Sequence, residues 1–333
     1  MKTAIFETEP WEKAHFQKYM KGHKMTCFDE PLTIDNADKA SGFEVLVVFI
    51  HSKMDEKLLS KLPKLKCLIT RSVGFDHIDL KTCKKRKISV FNIPDYGTAT
   101  VAEHTFALML ALTRKIIEGS NKTKQGKFNI GGLEGSDLSG KTLGVIGSGR
   151  IGQSVIQIAK SFGMNVLVYD LIKNKKLESS LGFSYVSLPK LLSLSDVITL
   201  HAPLTTQTKH IINESSLSKM KKGVFIVNTS RGPLIDTRAL LVALDSGQIA
   251  GAAIDVIEGE QEVHEEHELL RSDRINKESA ITLVFAHELM QHDKVIVTPH
   301  IAFYTKEALE RIVQKTCATV KKFEKGDKTG SLK

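Results

Sequence analysis

Nowhere in the 333 residues is there a run of about eighteen apolar residues, the length that a membrane-spanning helix requires. The amino terminus, MKTAIFETEPWEKAHF, acquires acidic residues too early for the apolar stretch of a secretory signal. Cysteine is scarce as well. Cys27, Cys67, Cys83 and Cys317 stand apart without CxxC spacing, which argues against a disulfide framework and describes reduced thiols. These absences lead us to expect a cytoplasmic protein with no membrane partner. The net charge is +9, yet the lysines are dispersed, and no basic stretch is interleaved with aromatic residues. Only residues 81–87 and the tail from Lys321 are dense in cations, so no nucleic-acid partner is expected. What remains of the charge is a mildly positive field that attracts small anions.

Several familiar chemistries are also missing. The histidine-bearing segments around His264 and His267, and around His287 and His292, lack HExxH spacing, because Glu268 and Gln291 stand where the second imidazole would be needed. No metal site is expected, and both segments read as parts of a solvated insertion. Gly135, Gly140, Lys141 and Thr142 match the phosphate-loop pattern GxxxxGK[ST] literally. A phosphate loop follows a strand and opens a helix, whereas Lys141 and Thr142 run straight into the apolar strand LGVIG, so a nucleoside triphosphatase is rejected.

The length exceeds what one hydrophobic core usually organises, so two domains are expected. In the first hundred residues TAIF, MTCF, FEVLVVFI, LKCLITR and ISVFNI alternate with helix-length segments, the pattern of a parallel α/β sheet. Pro94, Asp95, Tyr96 and Gly97 then form a turn, and a long apolar-periodic helix over 98–119 follows as a hinge. A second βα series begins at LGVIG and continues through NVLVYD, DVITLHAP, GVFIVNTS, IAGAAIDV and KVIVTPH. A final amphipathic helix over 305–323 is expected to return to the first domain. The hinge helix carries Phe106, Leu108, Met109, Leu110 and Leu112 on more than one face, which suggests a two-fold interface and a homodimer.

The strongest local signal lies in LGVIGSGRIGQSVIQIAKSFGMNVLVYD. A strand is followed by Gly147, Gly149 and Gly152 at GxGxxG spacing, then a helix, then a second strand ending at Asp170. The glycines suit a tight turn, close approach of backbone to a pyrophosphate, and packing of helix on strand. The helix N-terminus offers oriented N–H groups to the phosphates. Asp170 stands where an acid takes the adenosine ribose hydroxyls and repels a 2′-phosphate, so NAD is favoured over NADP. Three further strands end beside chemically capable side chains: Arg231 after GVFIVN, Glu260 beyond Asp255, and His300 after KVIV. Strand carboxyl ends are where open α/β sheets bind ligands.

Taken in order, RSVGFDHID, PDYGTATVAEH, LGVIGSGRIG, LHAPLT, NTSRGPLID, AIDVIEGE and TPHIAFYT make the chain resemble the D-2-hydroxyacid dehydrogenase family over nearly its whole length. Tyr96 and the pair Phe303 and Tyr304 look most like its D-lactate dehydrogenase branch. The resemblance implies an NAD-binding Rossmann domain, 99–303, inserted into a flavodoxin-like substrate domain formed by 1–98 and 304–333. It implies that His300 exchanges the alcohol proton, that Glu260 orients the imidazole, and that Arg231 binds the carboxylate and polarises the carbonyl. Ser72, Val73 and Gly74 would form an amide nest for the carboxylate, with Tyr96, Phe303 and Tyr304 also at the substrate. Arg150, Ile151, His201, Ala202, Pro203, Thr229, Ser230, Asp255 and Val101 would join the GxGxxG residues around the cofactor. The implied reaction is reduction of pyruvate by NADH to D-lactate, after closure about hinges near 98 and 303. Glyoxylate or hydroxypyruvate reduction is the neighbouring alternative. A non-enzymatic, NAD-sensing corepressor is the second reading, which the short tail GDKTGSLK disfavours.

Overall fold

The computed structural model describes residues 1–264 and 277–332. Along the first part of the chain run β1 (Lys2–Ile5), α1 (Pro10–Tyr19), β2 (Lys24–Cys27), β3 (Val45–Val48), α2 (Glu56–Ser60), β4 (Cys67–Thr70), α3 (Leu80–Lys85) and β5 (Ser89–Phe91). There follow α4 (Thr98–Thr113), α5 (Ile116–Lys124), β6 (Thr142–Ile146), α6 (Arg150–Ser161), β7 (Asn165–Tyr169), α7 (Lys175–Leu181), β8 (Ser184–Tyr185) and α8 (Leu188–Leu194). The rest comprises β9 (Val197–Leu200), α9 (Glu214–Leu217), β10 (Val224–Asn228), α10 (Thr237–Asp245), β11 (Ile249–Ile254), α11 (Glu260–His264), α12 (Lys277–Gln291), β12 (Val295–Val297) and α13 (Lys306–Glu324). Among the described residues no helix is long and apolar enough to cross a membrane.

The chain divides into two compact units, Met1–Gly97 with Tyr304–Lys333, and Thr98–Phe303. Each is built on a wholly parallel sheet, so the expected pair of parallel α/β sheets is what the chain forms.

In the first unit the strand order is β2-β1-β3-β4-β5. Strands β3 and β4 are buried along their whole length, as continuous VLVV and CLIT runs require of parallel strands covered on both faces. Helix α13 is capped by Thr305, whose side chain accepts from the Ala308 N–H, and it packs on α1. Lys321 Nζ donates to the Tyr19 carbonyl at 2.6 Å, which ties the two helices together.

The second unit has the order β12-β11-β10-β9-β6-β7-β8. Register is fixed by the buried central strands, for example Val145 beside Thr199 and Val168. Two hydrophobic clusters cover the faces of this sheet, one centred on Val145, Val155 and Met109, the other on Leu200, Ile226 and Leu240. Each fully buried Val, Leu or Ile here contributes ~1.5–3 kcal/mol.

Three local readings need correction. The hinge helix is not continuous over 98–119: it stops at Thr113, Lys115 takes φ of 51°, and α5 starts afresh at Ile116. The Lys115 ammonium donates to the Gly132 carbonyl at 2.9 Å, a bond to the following loop that the sequence does not announce. Four of the apolar residues expected at a dimer interface, Phe106, Leu108, Met109 and Leu112, are buried in this unit's own core, and Leu110 packs against it. Finally, the segment around His287 is not a solvated insertion. Within α12, Leu283, Ala286 and Leu289 are buried and recur at helical spacing. His292 closes this region, with Nε2 3.3 Å from Asp245 Oδ1. His264 ends α11, and His267 lies outside the described residues.

Candidate active site

Every residue proposed from the sequence for the second unit lies at or just beyond a strand's carboxyl end, apart from Val101 on α4 and the start of α6. The strand order reverses its winding between β6 and β9, and the turn after β6 meets the end of β9 there. The His201 N–H donates to the Ile146 carbonyl at 2.8 Å, joining the two strand ends. A β-carbon added to Gly152 would sit 2.1 Å from the Gly147 carbonyl oxygen, so α6 approaches β6 more closely than any other residue allows. Gly149 caps α6 without a side chain, which leaves the first-turn amides, among them those of Arg150 and Ile151, directed outward for an anion. Beyond the end of β9 the Ala202 carbonyl accepts from the Ser230 hydroxyl at 2.7 Å, which joins it to the turn after β10, and Pro203 follows directly.

Asp170 follows β7 and reaches back to the glycine turn. Its Oδ2 accepts from both the amide and the hydroxyl of Ser148, each at 2.7 Å. Burial alone would raise its pKa, but the amides of Ile172 and Ser148 and the Ser148 hydroxyl outweigh it and hold it below the ordinary carboxylate range. Ser148 Oγ also lies 3.0 Å from the Tyr185 hydroxyl. Neither Ser148 nor Tyr185 was found by sequence reasoning, since one fills a variable motif position and the other sits on a two-residue strand. His201 is partly buried as a residue, with Nε2 on Thr199 Oγ1 at 2.9 Å. Burial of the ring pushes its pKa down to about 3, so the imidazole is neutral and polar rather than a cation for phosphate.

The opposite half of the edge carries Arg231, Glu260 and His300. After β10, Asn228 turns the chain: its Nδ2 donates to the Arg231 carbonyl at 2.9 Å, and its Oδ1 accepts from the Ser230 amide at 3.0 Å. Thr229 Oγ1 lies 2.9 Å from Thr105 Oγ1, and Thr105 sits one helical turn after Val101 on α4. The Arg231 Nη1 donates to the Ser230 carbonyl at 2.7 Å. After β11, Glu258 braces the loop, with His210 Nε2 at 2.7 Å and the Thr237 hydroxyl at 3.1 Å. Glu260 then opens α11, and its Oε1 meets His300 Nδ1 at 2.5 Å. Both side chains of this dyad are about a quarter exposed (27% and 28%), which leaves room for contact with a ligand. The Phe303 ring stands edge-on to the imidazole at 6.3 Å.

His300 is held in a left-handed conformation, φ 54°, and Asp255 supplies the restraint. Its carbonyl accepts from the His300 amide at 2.9 Å. Its carboxylate accepts from Thr298 Oγ1 at 2.6 Å and from the amides of Ile301 and Ala302, each at 2.9 Å. His104 Nε2 lies 3.4 Å from the same carboxylate. Asp255 is 1% exposed, and burial would raise its pKa, but the bonds from His104, Thr298, Ala302 and Ile301 prevail and hold it low. A carboxyl whose folded pKa is depressed stabilises the fold above its unfolded value, and that contribution is lost as pH falls through the folded value. Asp255→Asn is therefore expected to lower stability at pH 7 by about 2–4 kcal/mol, through buried donors left without an acceptor. Urea unfolding tests this: the gap between parent and variant should shrink below the ordinary carboxylate range, and equal midpoints at pH 7 would refute it.

The remaining residues proposed from the sequence belong to the first unit. Ser72, Val73 and Gly74 follow β4, with Ser72 Oγ 2.6 Å from Thr70 Oγ1 and donating to the Gly74 carbonyl at 2.6 Å. Tyr96 is buried, and its carbonyl accepts from Arg311 Nε at 2.7 Å; Tyr304 is 55% exposed.

The Rossmann arrangement fits a dinucleotide: uncapped α6 amides for the pyrophosphate, a glycine turn at the switch point, and an ionised acid at the end of β7 for the ribose. Comparison with known proteins agrees. Residues 106–302 match the family model described as D-isomer specific 2-hydroxyacid dehydrogenase, NAD binding domain. The chain is 36% identical to D-lactate dehydrogenase of Escherichia coli, covering 98% of both chains. It is also 36% identical to an aromatic 2-oxoacid reductase of Clostridium sporogenes, over 97% of this chain and 96% of that one. The crystal structure of D-lactate dehydrogenase from Aquifex aeolicus, complexed with NAD and lactic acid, superposes with a TM-score of 0.89 at 39% identity, covering 98% of this chain and 96% of that one. The chain therefore belongs to the D-isomer specific 2-hydroxyacid dehydrogenase family, with NAD as its cofactor.

Proposed function

We propose that this protein reduces pyruvate to D-lactate, with His300, Glu260 and Arg231 as its catalytic residues. The observation that carries the reading is the 2.5 Å contact between His300 Nδ1 and Glu260 at the carboxyl edge of the NAD-binding sheet. Bound there, NADH supplies the hydride. Glu260 takes the Nδ1 proton in a hydrogen bond, so Nε2 is the nitrogen that gives a proton to the carbonyl oxygen and recovers it from the alcohol. Arg231 holds the carboxylate and draws charge onto the carbonyl oxygen through its planar fork. Ser72, Val73 and Gly74 offer amides to the carboxylate, and Tyr96, Phe303 and Tyr304 shape the substrate's surroundings. Val101 and Thr229 lie at the nicotinamide end, while Arg150, Ile151, His201, Ala202, Pro203 and Ser230 line the path of the dinucleotide. Asp255 is proposed for the nicotinamide end as well, and it also acts through the loop that carries His300.

Initial rates of NADH oxidation with pyruvate, glyoxylate, hydroxypyruvate, 2-ketobutyrate and phenylpyruvate test the assignment. The highest kcat/KM with pyruvate and a D-lactate product are expected. A preference for phenylpyruvate would instead place the chain with the aromatic 2-oxoacid reductases, and no turnover with any of them would refute an enzymatic reading.

The ionised Asp170 carboxylate repels a 2′-phosphate, so Asp170→Ser should narrow the preference for NADH over NADPH by about tenfold. Unchanged NADPH kinetics in the variant would show that Asp170 does not set this choice.

The proposed setting is cytoplasmic, consistent with four free cysteines of which three are buried. The proposed assembly is a homodimer. Ile116, Phe128 and Ile130, which are 58%, 93% and 88% exposed, supply apolar surface for it in place of the α4 residues. Sedimentation of a single species at the monomer mass would refute it.

A further inference from the structure

In the first unit the winding of the sheet reverses between β1 and β3. Parallel sheets with this strand order open a ligand-binding crevice beyond the carboxyl ends at such a point. Here a side chain of the protein itself enters that position. Glu7, just past the end of β1, takes φ of 59°, a conformation that residues with a β-carbon seldom adopt. Its Oε1 accepts from the amides of Phe49 at 2.9 Å and Ser52 at 3.2 Å, and from the Ser52 hydroxyl. Its Oε2 accepts from the His51 amide at 3.0 Å. Three backbone amides from one turn thus converge on one carboxylate, which is how such turns bind free anions.

The same residue is tied to the next strand end. Arg71 Nη2 donates to the carbonyls of Glu7 at 2.5 Å and Phe6 at 3.0 Å, while Nη1 pairs with Glu12. The guanidinium lies 5.2 Å from the centre of the Phe49 ring and is almost wholly buried. Arg71 immediately precedes Ser72, the first residue of the turn proposed above to hold the substrate carboxylate.

We infer that Glu7 is a positioning residue for the substrate site: its carboxylate is a tethered anion that fills the amide nest at the end of β3. By filling it, Glu7 locks turn 49–52 and, through Arg71, the neighbouring turn 72–74. With the first nest filled from within, an incoming 2-keto acid is directed to the amides of the second. The inference rests on the proposed role of residues 72–74.

Glu7→Ala in the full-length protein tests it, with sodium acetate as the probe that replaces the lost carboxylate. The KM for the preferred keto acid should rise about tenfold, with kcat and the KM for NADH within about twofold of the parent. Acetate at tens of millimolar should lower that KM in the variant and not in the parent. Hydrogen exchange at the amides of Phe49, His51 and Ser52 should quicken by about tenfold in the variant and slow again with acetate. Unchanged exchange would overturn the inference, as would faster exchange with an unchanged KM. If the alanine variant does not fold, Glu7→Gln carries the test: its amide group faces amide donors, so a parental KM would also overturn the inference. Should the parent reduce no keto acid, the substrate role falls with that reading, while exchange still decides whether Glu7 fills the nest.

Discussion

Replacing His300 by alanine is expected to lower kcat for keto-acid reduction by a factor of about 10²–10⁴, the range that a positioned general acid contributes. The KM for NADH should stay near the parental value, because the groups proposed to hold its pyrophosphate and adenosine ribose, the glycine turn, the α6 amides and Asp170, lie on the other half of the sheet edge. The fold should survive the change. The left-handed turn at His300 is held by its amide and by those of Ile301 and Ala302, all bonded to Asp255, and none of these bonds involves the imidazole. A melting temperature close to the parent's, together with the loss in kcat, would separate chemistry from stability. Glu260→Gln should cost less than the histidine change. A carboxamide oxygen still accepts from Nδ1, so orientation is kept while the negative charge beside the ring is lost. Stopped-flow reduction with pyruvate in excess measures both variants, and a His300→Ala enzyme retaining more than about a tenth of the parental rate would remove His300 from the proton path.

The same turn shows which parts of the site could be read from the sequence. Arg231, Glu260 and His300 stand where apolar strands stop, and a strand's end is visible as the point where β-branched runs give way to glycine, proline and charge. The glycine turn and Asp170 were visible for a similar reason, since their spacing is dictated by one strand, one helix and the next strand. Asp255 presents a harder case. Its position after β11 was legible, but its bonds to Thr298, Ile301, Ala302 and His104 join segments far apart in the chain, and no local pattern encodes such a meeting. Ser148 and Tyr185 escaped notice likewise, as did Glu7, whose partners lie more than forty residues downstream.

The fold divides in the same way. Strands were recognisable because in a parallel sheet they are continuously apolar. The break at Lys115 was not, because TRKIIE contains neither glycine nor proline, and the partner that takes the Thr113 carbonyl at the helix end, the Ser136 amide at 2.8 Å, lies far along the chain. Helix α12 was misread because the apolar Val284 and Phe285 stand between its buried Leu283 and Ala286, so no single face stands out along the sequence, and His287 and Glu288 link it to the acidic, histidine-bearing stretch before it.

Arg231→Lys is expected to reduce kcat/KM for the keto acid by about 10²–10³, the cost of losing one well-placed donor to a developing oxyanion. Lysine keeps the charge, so a large loss cannot be put down to the electrostatic field alone. What it lacks is the planar fork: guanidinium can give two parallel N–H bonds to a carboxylate, or one each to carboxylate and carbonyl oxygen, whereas an ammonium is a single point donor on a flexible stem. The guanidinium bond to the Ser230 carbonyl is lost, but Asn228 Nδ2 on the Arg231 carbonyl and Ser230 on the Ala202 carbonyl still hold the backbone, so the substitution should leave the turn intact. Steady-state kinetics then locate the guanidinium's work. An equal fall in kcat and kcat/KM would place it on the carbonyl oxygen as charge develops there, while a rise in KM at constant kcat would confine it to the carboxylate. Parental kinetics with lysine would show that a point charge suffices and that Arg231 does not act through its fork.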